Sequence, residues 1–276
     1  MTTPDATADR PTAFDPEVAN VARMYDYYLG GTYNLPADRA RAARIQTVLP
    51  AMEILARLNR GFLRRAVRFM LGEGIDQFLD LGSGLPTAGN VHEVAQAVRP
   101  DAKVVYVDYE PVAVAHGEQI LANTPNVAIV NADARKVDEV LNHPRVRELL
   151  DLDRPLGVIM AGVMVFVGDH DDPAGMVRAY RNAVAPGSFI AISHLTAEQA
   201  DPETKGKVHA MVAAYQGVTE QLYVRDRAPI AAWFDGMTLL DPGVTLMPEW
   251  RPYADREIHT GSPAHQLGYG GVGRVD

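Results

Sequence analysis

The hydrophobic rhythm of the chain changes near residue 73. Before that point, apolar side chains recur every three or four positions. Val18, Val21, Ala22, Tyr25 and the pair Tyr28/Leu29 share one helical face, and Leu55, Leu58, Phe62, Ala66 and Phe69 share another. The first of these helices is expected to start with Asp15 as cap, Pro16 in the first helical position and Glu17 at the positive end of the dipole. Gly30 and Gly31 then stop it. Another helix is predicted over roughly 36–49, ending at Pro50.

From residue 75, short continuous apolar runs alternate with amphipathic stretches. The runs are "IDQFLDLG", "AKVVYVDYE", "NVAIVNAD", "PLGVIMAGVMVFV" and "GSFIAISHL". Runs of this kind suit parallel strands buried on both faces. Between them, positions such as Val91, Val94, Ala95 and Val98 keep helical spacing. Strand and helix in alternation predict an α/β fold, a doubly wound, mostly parallel sheet with right-handed crossovers. Further on, "DHDDPAG" reads as a helix start, with Asp171 or Asp172 as cap before Pro173. Residues 202–217 predict a helix, and "RAPIAAWFDG" a short one ending at Gly236. "MTLLDPGVTLMPEW" reads as an extended pair or as one strand with a break. "GYGGVGRV" carries too many glycines to be read as a strand by propensity. The expected organisation is a tail over 1–14, a helical extension over 15–72 and an α/β domain over 73–276, rather than two independent folds.

Composition narrows the function. The chain has 276 residues and a formal charge of −9, from 26 basic and 35 acidic side chains. No dense Lys/Arg block stands out, which argues against a nucleic-acid partner. There is no cysteine, so disulfides, Cys-ligated zinc and a Cys nucleophile are excluded. No His/Asp/Glu group has metal-ligand spacing. No signal pattern and no 18-residue uncharged apolar run occur, so a soluble, cytoplasmic protein without membrane association is expected. The first 14 residues, rich in Thr, Asp, Ala and Pro, are expected to be disordered or loosely docked.

Candidate chemistry sits in "QFLDLGSGLPTAGN", Gln77 to Asn90. A dinucleotide fold needs three glycines and a helix that starts at once, because the helix N-terminus must meet the pyrophosphate. Gly82 and Gly84 fit that pattern, but Thr87 stands where the third glycine would be and Pro86 interrupts the turn. The better helix start is Asn90, with Glu93 as reciprocal cap. A pyrophosphate would lose its main partner, which disfavours an NAD-dependent oxidoreductase. A ligand without phosphate would not.

Three acids then fall at the carboxyl ends of successive strands: Asp80, Asp108 and Asp133. Asp108 lies 28 residues after Asp80, and its carboxylate can accept from ribose hydroxyls. Asp133 can accept from an adenine amine, with the Ala134 backbone N–H beside a ring nitrogen. Alone, each acid also reads as a cap or a solvated loop residue. Together they fit a cationic ligand with a ribose and an adenine, features combined in S-adenosylmethionine (SAM).

The stretches "FLDLGSG", "YVDYEP" and "NADAR" resemble the successive motifs of class I SAM-dependent methyltransferases. More narrowly, "VARMYDYYLGGTYNLPADR", "NRGFLRRAVRFM", "FLDLGSGLPTAGNVHEVAQ", "VVYVDYEPV", "DPAGMVRAY" and "YGGVGR" resemble one bacterial S-adenosyl methyltransferase family, once catalogued only as a domain of unknown function. The likeness runs from about residue 16 to the C-terminus. It implies a Rossmann-like, seven-stranded sheet whose antiparallel last strand is "YGGVGRV". It also implies that Gly82, Ser83 and Gly84 line the methionine and ribose part of SAM. Asp108 would hold the ribose diol, with Tyr109 beside the adenine. Asp133 and Ala134 would read the adenine edge, and the Ala161 carbonyl would take the methionine ammonium. Pro86 departs from the family pattern, where a third glycine is common.

Residues outside the sheet carry two readings each. Tyr25, Tyr28 and Asn34 belong either to a packed amphipathic helix and its turn or to a lid near the sulfonium and the acceptor. Arg60 either pairs with the methionine carboxylate or is a solvated helix arginine. His194, at the end of the fifth strand, is a general-base candidate or a satisfied structural histidine. Met164 and Phe166 wall the substrate pocket or pack the core. The resulting expectation is methyl transfer to a small molecule, with a non-catalytic SAM-binding regulatory module as the alternative.

Overall fold

The computed structural model describes residues 15–86, 89–215, 218, 220–253 and 260–276. The expectations for the tail over 1–14, for Thr87 and for the end of the 202–217 helix at 216–217 lie outside these residues.

Three helices open the described chain: α1 (Val21–Tyr28), α2 (Pro36–Val48) and α3 (Met52–Gly72). The first starts later than the sequence predicts. Asn20, not Asp15, is its cap, accepting from the backbone N–H groups of Ala22 and Arg23. The reason is tertiary. Asp38 of α2, wholly buried, accepts from the backbone N–H groups of Asn20 and Leu35 and from Arg23 Nε, and so fixes where the chain turns into helix. Asp15 instead closes a preceding turn, accepting from Glu17 and Val18. Gly30, at φ +80°, ends α1 as expected.

The α/β part follows in alternation: β1 (Gln77–Leu81), α4 (Val91–Gln96), β2 (Lys103–Asp108), α5 (Pro111–Leu121), β3 (Val127–Asn131), α6 (Val137–Leu141), α7 (Pro144–Leu149), β4 (Gly157–Ala161), α8 (Pro173–Ala183) and β5 (Phe189–Leu195). Then come α9 (Pro202–Ala214), α10 (Arg227–Ala232), β6 (Thr238–Leu239), β7 (Thr245–Leu246) and β8 (Gly268–Arg274). Asn90 and Glu93 form the capping box predicted for α4, and Asp172 caps α8 by accepting from Gly175.

The strands lie in the order β3-β2-β1-β4-β5-β8-β6. The first five pair in parallel, and β8 runs antiparallel to β5 along its whole length. The seventh position is one edge strand broken in two. β6 pairs with Gly273 and Arg274 of β8, and β7 with Tyr269 and Gly270. Between them Asp241–Pro242 and Gly243, at φ +82°, carry the break.

Alternate side chains of each strand feed two separate cores. Phe78, Val104, Tyr106 and Ile159 pack toward α1–α5 and α9, while Leu79, Val105, Val107 and Val158 pack toward α6–α8 and α10. Burial on both faces explains the unbroken apolar runs. The glycines of β8 have a steric cause. A Cβ at Gly270 would stand 2.7 Å from the Phe62 ring of α3, and one at Gly273 would stand 2.8 Å from the Phe234 ring. These strand positions are glycine because aromatic rings occupy the space of their side chains.

Candidate functional site

The strand order reverses between β1 and β4, and a crevice opens there at the carboxyl ends of the strands, the usual ligand position in an open α/β sheet. A single cavity runs from this crevice to the helices above it. Its floor is set by Asp80, Gly82, Ser83 and Gly84 after β1, by Asp108 and Tyr109 after β2, by Asp133 and Ala134 after β3, and by Ala161 after β4. All of these were expected at a cofactor site from the sequence. Tyr25, Tyr28, Arg60, Phe166 and His194 also line the cavity.

Gly82 and Gly84 adopt positive φ of +64° and +62°, which a residue with a side chain adopts only under strain. The loop they form is held by Asp108. Its Oδ2 accepts from the Gly84 N–H at 2.7 Å and its Oδ1 from the Glu110 N–H at 3.0 Å. Burial pushes the Asp108 carboxyl up to about 6, against the pull of these N–H donors. Asp80 is pushed up to about 7 by burial; the Arg60 charge opposes the shift and Asp108 adds to it.

Arg60 is not the solvated alternative. It is only 7% exposed, its guanidinium lies over the Tyr25 ring at 5.4 Å, and Nη1 reaches Asn90 Oδ1 at 3.4 Å. Its Nε is buried without a hydrogen-bond partner. An unpartnered guanidinium N–H is costly to bury, so this atom fits an anionic group brought by a ligand. Asn59, the residue before Arg60 in α3, is central here. It accepts from Ser193 Oγ at 2.6 Å, and its Nδ2 donates to Tyr25 Oη at 3.0 Å and approaches the Ala161 carbonyl at 3.5 Å. It thereby ties α1, α3, β4 and β5 together at one side of the crevice.

Several sequence candidates sit differently from expectation. Asn34 is buried outside the cavity, donating to Asp26 Oδ2 and the Gly31 carbonyl and accepting from Arg39. It shapes the turn after α1, because its short amide closes the loop that Gly30 and Gly31 open. Met164 is wholly buried in the second core and does not face the cavity. It lies in a short 3-10 turn that rotates it away, while Phe166 of the same turn does face the cavity. His194 lines the cavity, but both ring nitrogens are engaged. Nδ1 lies 2.7 Å from the Leu195 carbonyl and Nε2 lies 3.0 Å from Arg225 Nη1. The arginine can only donate, so Nε2 accepts and the proton resides on Nδ1. Burial lowers the imidazole to about 4. A neutral ring whose lone pair is already bonded does not work as a general base. Asp133 forms an ion pair with Arg135, which also reaches Asp171.

Glu220 joins these residues without any mark in the sequence. It is 9% exposed, lines the cavity and accepts the Tyr109 hydroxyl at 2.6 Å. No local pattern marks it, because its partner lies 111 positions away.

The far end of the cavity is apolar. Met52, Leu55 and Leu63 of α3 face Met211 of α9, Tyr215, Leu222, Met247 and Leu267 there. SAM fits the whole arrangement. Arg60 offers an unpartnered donor for its carboxylate, Asp108 an acceptor for its ribose, and the crevice acids a negative field for its cationic groups. The late start of α4 at Val91 leaves no helix end for a pyrophosphate.

Comparison with known proteins agrees. A Thermobifida fusca structure described as a candidate methyltransferase is 38% identical, with a TM-score of 0.88, covering 98% of this chain and 100% of its own. A DUF574 family protein of Streptomyces avermitilis is 34% identical, with a TM-score of 0.89, covering 95% of this chain and 99% of its own. An O-methyltransferase family protein of Burkholderia thailandensis, 11% identical with a TM-score of 0.50, covers 86% of this chain and 59% of its own and shares the fold. No curated protein sequence matches the chain. The sequence model described as S-adenosyl methyltransferase matches residues 7–276. The chain therefore belongs to the S-adenosyl methyltransferase family and is a class I SAM-dependent enzyme.

Proposed function

We propose that the enzyme methylates a small, largely apolar molecule. The supporting observation is the continuity of the cavity. It passes from the acid-rich strand ends directly into a chamber walled by Met52, Leu55, Met211, Tyr215 and Leu222. Such walls suit a compact apolar acceptor more than a charged polymer.

When bound, SAM supplies an electrophilic methyl group on a sulfonium. The chain's own residues divide the remaining work. Arg60 holds the methionine carboxylate, and the Ala161 carbonyl takes the ammonium. Asp108 orients the ribose, Tyr109 flanks the adenine, and Asp133 with the Ala134 N–H reads the adenine edge. Tyr25, its hydroxyl fixed by Asn59 and the Ala56 carbonyl, stands at the sulfonium end. The apolar chamber excludes water and aligns the acceptor, so positioning and desolvation carry the rate. His194 takes no proton in this scheme.

Two measurements test the reading. S-adenosylhomocysteine (SAH) is expected to bind in calorimetry, and Asp108→Ala to weaken it about tenfold or more, the cost of losing a charged hydrogen-bond acceptor. Unchanged affinity would remove the ribose role. Radiolabelled SAM incubated with fractionated cell extract is expected to label the low-molecular-weight fraction. Label confined to protein or nucleic acid would overturn the small-molecule acceptor. Binding without any labelling would favour a regulatory module instead.

A further inference from the structure

Tyr109 and Glu220 meet in the cavity wall although 111 positions separate them, the Tyr109 hydroxyl donating to Glu220 Oε1 at 2.6 Å. Tyr109 directly follows Asp108 at the end of β2. Glu220 lies between α9 and α10, two positions before Leu222 of the apolar chamber. The two residues therefore come from different walls of the cavity, one from the strand ends and one from the segment between α9 and α10. A hydrogen bond to a carboxylate is among the stronger kinds, and a tyrosine ring has only two torsions. Fixing its hydroxyl at one point, with its Cα at the end of β2, fixes the axis along which the ring lies.

We propose that Glu220 is a positioning residue of the cofactor site. Through the Tyr109 hydroxyl it holds the ring that flanks the adenine, and it fastens the acceptor wall to the cofactor seat. This rests on the placement of the adenine beside Tyr109 given above. Glu220 is a direct choice for this role because it is buried, faces the cavity and reaches the tyrosine that follows the ribose acid. The segment between α9 and α10 then contributes to both substrates rather than to the acceptor alone.

The test is a double-mutant cycle read by calorimetric titration with SAH, with thermal unfolding followed in parallel. Glu220→Ala and Tyr109→Phe are each expected to weaken SAH about tenfold, and the double variant also about tenfold rather than a hundredfold, because both changes break one link. Tyr109→Phe keeps the ring and loses only the hydroxyl, so it reports on the link even where Glu220→Ala fails to fold. A purely structural link would lower the unfolding temperature and leave SAH affinity alone. SAH affinity within twofold of wild type in Tyr109→Phe, or losses that multiply in the double variant, would overturn the proposal. Failure of the wild-type protein to bind SAH would be a separate outcome, removing the cofactor placement on which the proposal stands.

Discussion

The two ends of the cavity are built in opposite ways. The cofactor end is polar and contiguous. Asp80, Gly82, Gly84 and Asp108 sit at the ends of adjacent strands, and two buried carboxyls are held well above their ordinary range. The acceptor end is apolar and assembled from distant segments, with Leu55, Met211, Leu222 and Leu267 drawn from four separate stretches of chain. One end gathers charge that a ligand must neutralise; the other gathers surface that a ligand must cover. The difference teaches that a charged site can be built from adjacent strand ends, whereas an apolar chamber, the proposed acceptor site, takes its shape from the whole fold.

Substitutions can break that contrast. Arg60→Ala should have the largest effect, weakening SAH about a hundredfold, because a buried charge-assisted pair is lost and Asp80 keeps no cation beside it. Calorimetry checks it, and a loss below threefold would place the carboxylate elsewhere.

Acidification should come next. On the proposed reading Asp108 holds the ribose as a carboxylate and Asp80 adds to the negative field, so SAH affinity should fall on the order of tenfold as pH drops through about 7 and about 6. In the empty protein the sign is opposite. Both carboxyls stand above the ordinary 3.8, so the stability they give is fully present below that value and is lost as pH rises through about 6 and about 7. Asp80→Asn should remove its share of that slope in thermal unfolding from pH 5 to 8, and an unchanged slope would contradict the assignment.

Changes at the other end should leave the cofactor alone. His194→Ala should cost about 2 kcal/mol of stability, since Arg225 Nη1 loses its nearer acceptor and the Trp233 ring its imidazole neighbour, while SAH affinity stays within about twofold. A large loss of affinity would restore a ligand role for the histidine. The smallest effect belongs to Tyr28→Phe. The Tyr28 hydroxyl is buried against the Tyr215 hydroxyl, so its removal should cost at most about 1 kcal/mol of stability with no change in SAH binding. Chemical denaturation reads both.

The same contrast explains what the sequence disclosed. The cofactor end was legible because strand-end acids and the glycine loop lie within short motifs, and the capping box at Asn90 and Glu93 is purely local. The parallel strands were legible because burial on both faces leaves an unbroken apolar run. The start of α1 was not, since Asp38 sets it from another helix. For Asn34 and Met164 the packed reading prevailed, which the sequence could not decide because a polar or apolar residue near a ligand edge looks alike whether it faces the cavity or the interior. Glu220 carried no signal at all. The last strand is a third case: propensity argued against it, and only family resemblance named it. Its glycines answer to Phe62 and Phe234, which no count of strand formers can register.

That fit between Phe62 and Gly270 has an outcome for anyone who would rebuild this enzyme. The ring belongs to α3 and the gap to β8, so two segments far apart in the sequence supply the halves of one joint. A chimera that takes its first helices from one relative and its final strand from another must exchange both halves together. Otherwise a side chain meets a ring, or an empty socket is left against the sheet.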